Sequence, residues 1–173
     1  MNTSGLRIIY GVIAFGMLVN GPSDALGQAL SPEVRAAWRQ AGAQVYDSKK
    51  ANTVSISLRK PPAIPFGKLP APEGPFVLEL LSRHLTPDDF KDLARFKTLS
   101  ELRLQSGHEL VVKDGKVPAR PESDLTGISA LAVLPNLHVL RLEAMNTTES
   151  AFAEIAALKS LKKIDCLGAT FND

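Results

Sequence analysis

The chain has 173 residues, of which 45% are hydrophobic and 22% are charged. This is enough apolar material for one packed domain, and it excludes a chain that is disordered throughout. The 20 basic and 18 acidic side chains are intermixed and leave a formal net charge of +2, which gives no basis for proposing nucleic acid or an anionic membrane as a partner.

Residues 1–27 have the order of a secretory signal peptide. Arg7 precedes an apolar run over residues 8–19, and the small residues Ala25 and Gly27 follow it. The run is shorter than the roughly 20 residues that span a bilayer, so we expect cleavage near Gly27 or Ala29 and no stable membrane span afterwards. An uncleaved membrane anchor is the alternative. The prediction places the protein outside the cytoplasm, either secreted or in the periplasm and cell envelope.

Residues 31–60 are predicted to form a cap made of one helix and one β-hairpin. Ser31 is followed by Pro and Glu, which is typical of a helix start. Trp38 lies on the apolar face of this helix and is its expected anchor in the core. Two strands, at residues 44–46 and 53–59, follow on either side of a polar turn.

Residues 61–75 contain six of the twelve prolines. Proline fixes the backbone φ angle and lacks an amide donor, so this segment cannot be a regular helix or a central strand. We predict an extended loop that replaces the helix of a first, degenerate coil. A proline-rich docking motif is the alternative.

Residues 76–173 contain an apolar pattern that recurs three times. The segments 90–104, 128–142 and 152–166 keep six apolar positions in register. Each segment is predicted to form a helix and then a short strand. Strands stack about 4.8 Å apart whereas helices need about 8–10 Å, so the stack should curve with its strands on the concave face. The inward strand positions are Leu78 and Leu80, Leu102 and Leu104, Leu140 and Leu142, and Ile164 and Cys166.

The repeats are 24 residues long except for one insertion. The step from Leu102 to Leu140 is 38 residues, which is 24 plus a 14-residue insertion. This insertion has apolar residues on both sides of Asp114 and Gly115, which is typical of a hairpin with its turn at this pair, and we place the hairpin at residues 107–121.

A helix-capping residue stands at the same offset before each predicted helix of the repeats. These residues are Thr86, Thr126, Thr148 and Asn172.

The leucine pattern resembles that of the leucine-rich repeat family. Leu99, Leu102 and Leu104 fit Leu-x-x-Leu-x-Leu, and the pattern returns in both later repeats. The segment 85–90, Leu-Thr-Pro-Asp-Asp-Phe, is similar to the start of the 24-residue "Leu-Thr-Asp-Ala-Gly-Leu" type found in exported bacterial proteins. The resemblance covers residues 33–173 and implies an α/β fold, a short right-handed solenoid with an N-terminal cap. The chain departs from the family where an Asn usually follows the strand, at Gly107, Met145 and Ala169.

The strand side chains that point away from the helices form the candidate binding surface. Glu79 can pair with Arg103, and Arg141 with Asp165, as a ladder of charges that satisfy one another. The alternative is that Arg103 and Arg141 together hold an acidic group of a partner. Five predicted strands give a face of about 300 Å², below the roughly 800 Å² per partner of a stable interface. The loop edge and the hairpin, with Lys113 and Asp114 at its turn, must therefore contribute. The row expected along the face is Ser57, Glu79, Arg103, Arg141 and Asp165.

The last repeat stops at an unfinished unit. Cys166 closes its strand and Asn172 stands at the next cap. Solenoids need a polar terminal cap, so we expect an exposed C-terminal edge, which points either to a longer protein or to a homo-oligomer formed through that edge. Cys166 is the only cysteine and cannot close an intramolecular disulfide. It is predicted to be a buried apolar residue, with a reactive thiol as the alternative.

No catalytic or metal motif is visible. His84 with Asp88 and Asp89 is the best metal candidate, but the first turn of a helix accounts for both aspartates. We therefore expect neither an enzyme nor a cofactor. The predicted function is a non-enzymatic module that binds a protein partner through the concave face, the loop edge and the hairpin. The alternative is an envelope-assembly protein that self-associates through its C-terminal edge.

Overall fold

The protein is described from a computed structural model that covers residues 30–48, 53–81, 85–106, 125–167 and 170–172. The predicted signal peptide at 1–27 and the predicted hairpin at 107–121 lie outside the described residues. In chain order the elements are α1 (Pro32–Gln40), β1 (Gln44–Ser48), β2 (Thr53–Leu58), the 3-10 helix Phe66–Lys68, β3 (Phe76–Leu81), α2 (Pro87–Leu93), β4 (Leu99–Gln105), the 3-10 helix Ile128–Val133, β5 (Val139–Glu143), β6 (Asn146–Thr148), α3 (Glu149–Ile155), β7 (Lys163–Leu167) and β8 (Thr170–Asn172).

A six-stranded, mostly parallel sheet organises these elements, which makes the fold α/β. Its strand order is β1-β2-β3-β4-β5-β7. β1 and β2 form an antiparallel hairpin, and each later pair in this sheet is parallel. Parallel neighbours need a crossover connection, and the short helices between the strands supply it. From the 3-10 helix Phe66–Lys68 onward, successive helices contact one another, so they form one row along one face of the sheet.

The helix α1 begins as its sequence predicts. The Ser31 hydroxyl oxygen accepts a hydrogen bond from the Val34 amide at 3.3 Å, and Pro32 occupies the first turn. An ion pair of 2.7 Å between Arg35 and Asp47 ties the helix to β1. The helix and the hairpin of the predicted cap are therefore joined by a polar contact as well as by their shared core.

An aromatic cluster joins the cap, the proline-rich segment and the first full repeat. Trp38 is fully buried, and its ring centroid lies 5.6 Å from that of Phe96 and 6.5 Å from that of Phe66. Its indole Nε1 donates a hydrogen bond of 3.0 Å to the Pro70 carbonyl. Phe66 belongs to the 3-10 helix Phe66–Lys68, so the expectation of a wholly extended loop at 61–75 is wrong at these residues. Phe66 is buried at the point between two strands where the later repeats have a helix, and its burial stabilises this single helical turn.

Two of the four predicted helix caps are present as expected. Thr86 and Thr148 each accept a hydrogen bond from a backbone amide of the following helix. Thr126 is not the cap of its repeat, because Gly127 takes that place with a φ of 89° and a 3-10 helix follows. Asn172 lies in β8, opposite Thr148, and no helix follows it among the described residues. At Asn172, strand pairing with β6 therefore takes the place of a helix cap.

We call each strand with the helix that follows it a coil. In two places a carboxylate from one coil accepts hydrogen bonds from the amides at the start of the helix in the preceding coil. Neither 3-10 helix has a side-chain cap of its own. An oxygen of Asp92, in α2, accepts a hydrogen bond from the Gly67 amide at 2.8 Å. An oxygen of Glu154, in α3, accepts hydrogen bonds from the amides of Gly127 and Ser129 at 2.8 and 3.2 Å, and from the Ser129 hydroxyl at 3.0 Å. Each carboxylate thus satisfies helix-start donors that would otherwise be left open.

Replacing Glu154 with alanine is expected to lower the free energy of unfolding by about 1–3 kcal/mol, because charge-assisted hydrogen bonds are lost and partly buried donors are left unpaired. Urea unfolding followed by circular dichroism measures the change. Glu154→Gln keeps one acceptor oxygen and should cost less. Glu149→Ala removes an exposed carboxylate from the same helix and serves as the control. Equal losses for Glu154→Ala and Glu149→Ala would contradict this role.

Candidate functional site

The sheet has one face against the helices and another, which we call the open face, pointing away from them. Along β4 the leucines at 102 and 104 are fully buried, whereas the alternate residues Glu101, Arg103 and Gln105 are half-buried. This alternation is what a strand with one covered face requires. The strand register aligns the predicted row on the open face, one residue per strand: Ser57, Glu79, Arg103, Arg141 and Asp165.

Glu101 is the centre of the charge network on the open face. The Arg103 Nε donates a hydrogen bond of 2.7 Å to its Oε1, and the Arg141 Nε lies 2.6 Å from the same oxygen. The second contact is an ion pair whose angles do not meet those of a hydrogen bond, so the buried Nε of Arg141 has no hydrogen-bond acceptor among the described residues. One carboxylate therefore holds two neighbouring guanidinium groups.

The predicted pairs of the ladder are formed only in part. Arg141 lies 3.5 Å from Asp165, as predicted. The pairing of Glu79 with Arg103 is wrong, because Arg103 uses its Nε for Glu101 and Glu79 accepts a hydrogen bond of 3.2 Å from the Ser57 hydroxyl. The hydrogen bond to Glu101 raises the pKa of Arg103, with a smaller contribution from the charge of Glu79. Glu79 thus acts on Arg103 through its charge and not through a direct contact.

Among the described residues, the terminal nitrogens of the two arginines are donors of the open face that have no acceptor. Their Nη atoms make no hydrogen bond within the described part of the chain, and each arginine side chain is 32% exposed. Because both Nε atoms lie at the same oxygen of Glu101 and the two arginines are neighbours in register, their guanidinium groups lie close together on the open face. Such donors suit a carboxylate or another anionic acceptor.

The open face as a whole is a charge mosaic and not a basic patch. The four parallel strands β3, β4, β5 and β7 place four carboxylates and three cations on it. Lys163 contributes one of the cations and lies 2.9 Å from Asp165. A ligand that covers this face must therefore carry charges of both signs. The seven residues are Glu79, Glu101, Arg103, Arg141, Glu143, Lys163 and Asp165.

A cleft of about 530 Å³ opens beside the N-terminal side of the sheet. Gln44, Ser57, Arg59 and Lys60 line it together with the end of α1 and the start of the proline-rich segment. Arg59 and Lys60 are exposed, and neither forms an ion pair within the described residues. No motif in the sequence pointed to this cleft, because it depends on how the β1–β2 hairpin folds against the start of the proline-rich segment and not on a pattern of residue types.

The remaining predicted site residues fall into two groups. Lys113 and Asp114 lie outside the described residues, as does His84 of the metal candidate. Asp89 is engaged in a capping box with Thr86, and Asp88 pairs with Lys91 at 2.8 Å. The hydrogen bond to Lys91 lowers the pKa of Asp88. Within the described ranges, no group of three or more His, Cys, Asp or Glu side chains is placed to hold a metal ion.

Cys166 is half-buried on the helix side of β7, and not fully buried as predicted. Burial raises the pKa of its thiol, and the negative charge of Asp165 raises it further. Both effects disfavour the thiolate, which is the reactive form. The thiol is therefore less reactive than one that is fully exposed.

None of the helices in the described ranges has both the length and the apolar character that crossing a bilayer requires.

In comparisons with known proteins, the chain matches no protein-family model, no curated protein and no solved structure.

Proposed function

We propose that the protein is a short leucine-rich-repeat solenoid that is exported from the cytoplasm and recognises a protein partner without catalysis. The strand–helix units, their 24-residue spacing and the aligned leucine rows support the solenoid. The signal-like order of residues 1–27 supports export. Repeat stacks of this kind offer extended strand surfaces that suit protein binding.

The observation that carries the proposal is the pair of arginines held by Glu101. A binding group is most effective when its geometry is fixed before the ligand arrives, because less side-chain entropy is then lost on binding. Glu101 is only 16% exposed and restrains both guanidinium groups while leaving their Nη donors available. We infer that a carboxylate of the partner binds at Arg103 and Arg141, and that basic groups of the partner meet the surrounding acids.

The area of the open face limits how the partner binds. Six strands give five spacings of about 4.8 Å, and five residues per strand give about 17 Å, so the face measures about 400 Å². A stable interface takes about 800 Å² per partner. The proposed interface therefore includes exposed Tyr46 on β1 and extends beyond the strands, over the cleft beside Arg59 and over the hairpin predicted at residues 107–121.

The experiment is in-cell crosslinking in the native host, followed by affinity measurement with the purified partner. The variant Arg103→Gln/Arg141→Gln removes both positive charges and keeps most of the side-chain bulk. We expect affinity to fall about tenfold or more, since charge-assisted hydrogen bonds are lost. The matched control, Lys91→Gln/Lys159→Gln, removes two exposed cations outside the open face and should bind as the original protein does.

Unchanged affinity of the arginine variant would contradict binding at the open face, provided that thermal unfolding shows the variant to be folded. Loss of binding in both variants would point to net charge and not to this site.

A further inference from the structure

The outer edge of the sheet at β7 has no neighbouring strand among the described residues. Ile164 is 45% exposed, whereas Leu102 and Leu140, which hold the same repeat position, are fully buried. Leu167, on the opposite face of the same strand, is 55% exposed and adds apolar surface at this edge. The apolar layer beneath the helices is therefore uncovered at this edge, whereas neighbouring strands cover it elsewhere in the sheet. The backbone of an edge strand is also a template for pairing with another strand.

The backbone of β7 shows which groups are available for pairing. The Lys163 amide donates to His138 at 3.0 Å, and the Leu167 carbonyl accepts from Ala144 at 2.8 Å. Both contacts are made toward β5, so the odd-numbered residues direct their backbone groups inward. Because these directions alternate along a strand, the N–H and C=O groups of Ile164 and Cys166 point outward.

We propose that β7 pairs with β7 of a second copy of this chain, antiparallel, about a two-fold axis at Ile164. In this register Ile164 faces the partner's Ile164, and the two residues exchange both of their outward backbone hydrogen bonds. Lys163 then lies opposite the partner's Asp165, and the symmetry repeats this pair. Two opposite-charge pairs and one apolar pair thus meet across the axis.

The charges of β7 select this register over its neighbours. A two-fold axis at Asp165 would set two carboxylates directly opposite each other, which is unfavourable. An axis at Cys166 would set Asp165 opposite the partner's Leu167 and would lose both ion pairs. Lys163 and Asp165 already lie 2.9 Å apart within one strand, so the lysine needs only to turn from its own aspartate to that of the partner.

This pairing goes beyond the proposed function, because it joins two copies along the β7 edge of the sheet and does not use the arginine pair of the open face. It would nevertheless join the two open faces on one side of a continuous twelve-stranded sheet. Two faces of about 400 Å² give about 800 Å², which is the area per partner that a stable interface takes. The self-pairing therefore supplies an area that one copy lacks.

The test uses two charge variants of the full chain in sedimentation velocity experiments. In Lys163→Glu alone, and in Asp165→Lys alone, both cross-strand pairs become like-charged, so each variant should dimerise about tenfold more weakly or worse than the original chain. Mixed together, the two variants form opposite charges at both pairs, and we expect the mixture to dimerise as the original chain does. A monomeric original chain at its highest soluble concentration, or a mixture as weak as its components, overturns the proposal.

A disulfide test examines the register itself. In a Cys166→Ser background, Ile164→Cys places two thiols on residues whose Cα atoms are about 5.5 Å apart in a hydrogen-bonded pair, within the range of a disulfide. Rapid oxidation to a disulfide-linked dimer is expected. Leu167→Cys in the same background is the matched control, because the two thiols would then be about 20 Å apart along the strands. Equal crosslinking of both variants overturns the register.

The open-face variant Arg103→Gln/Arg141→Gln separates this proposal from the proposed function. We expect it to lose partner affinity and to keep the dimerisation of the original chain. A variant that loses both would show that the edge pairing depends on the open face, and would overturn a dimer built on β7 alone.

Discussion

Replacing Trp38 with alanine is expected to lower the free energy of unfolding by about 3–5 kcal/mol. The side chain is fully buried and packs against Phe66 and Phe96, which belong to the proline-rich segment and to the first full repeat. Its loss leaves a cavity at the point where three parts of the chain meet, and it removes the hydrogen bond to the Pro70 carbonyl. The proline-rich segment has little regular structure of its own, so it depends on this contact for its position.

Urea unfolding followed by far-UV circular dichroism measures this effect, since the variant lacks the only tryptophan and cannot be followed by its fluorescence. Trp38→Phe keeps most of the apolar volume but leaves the Pro70 carbonyl without its donor, so we expect a smaller loss of about 1–3 kcal/mol. Tyr46→Ala changes an aromatic residue that is 55% exposed and should cost far less. Similar losses for Trp38→Ala and Tyr46→Ala would refute the anchoring role.

Replacing Leu140 with alanine is expected to destabilise the protein by about 2–5 kcal/mol, whereas replacing Ile164 should cost about 1 kcal/mol or less. The two residues are opposite each other in register and hold the same repeat position. Leu140 has a strand on either side and is fully buried, while Ile164 is 45% exposed at the edge. The contrast arises because a repeat gains its buried surface from its neighbours on both sides.

Both variants are compared by urea unfolding at a protein concentration low enough for the chain to be monomeric. Self-association would otherwise stabilise the original chain by mass action and would exaggerate the loss at Ile164. Leu102→Ala, at the same position one strand earlier, should behave like Leu140→Ala. Equal losses of unfolding free energy for Leu140→Ala and Ile164→Ala at low concentration would contradict the explanation that a repeat is stabilised by its neighbours on both sides.

The register of the sheet could be predicted from the sequence because one physical requirement decides it. Leu78, Leu102 and Leu140 must all face the helices, and shifting any strand by one residue would turn its leucine to the open face. The burial of a leucine is worth about 1.5–3 kcal/mol, so the pattern strongly excludes registers shifted by one residue. The same argument correctly aligned Arg103 and Arg141 as neighbours.

The ion-pair partners on the open face could not be predicted in the same way. Arg103 has Glu79 beside it on the next strand and Glu101 two positions earlier on its own strand, and both are within reach of a long side chain. Exposed pairs of this kind differ in free energy by about 1 kcal/mol or less. Pairwise reasoning therefore cannot choose between them, and it missed the role of Glu101 as the shared partner of two arginines.

The carboxylates that cap the preceding coil did leave a signal in the sequence. Asp92 and Glu154 stand at the same repeat offset, two residues after Phe90 and Phe152. The middle repeat has Ala130 at this offset, and the coil before it begins with the capping box of Thr86 and so has its own acceptor. Recognising the signal required knowing that the two other coils start with 3-10 helices that lack a cap.

These backward-reaching carboxylates have a consequence for how the protein opens. When a coil detaches from the stack, it takes away the acceptor that closes the helix start of the coil before it. Detachment of α3 removes Glu154 from Gly127, and detachment of α2 removes Asp92 from Gly67. Opening at α3 therefore weakens the helix Ile128–Val133, and opening at α2 weakens the helix Phe66–Lys68. This coupling raises the free-energy cost of fraying from the exposed edge and favours the opening of these helices in pairs.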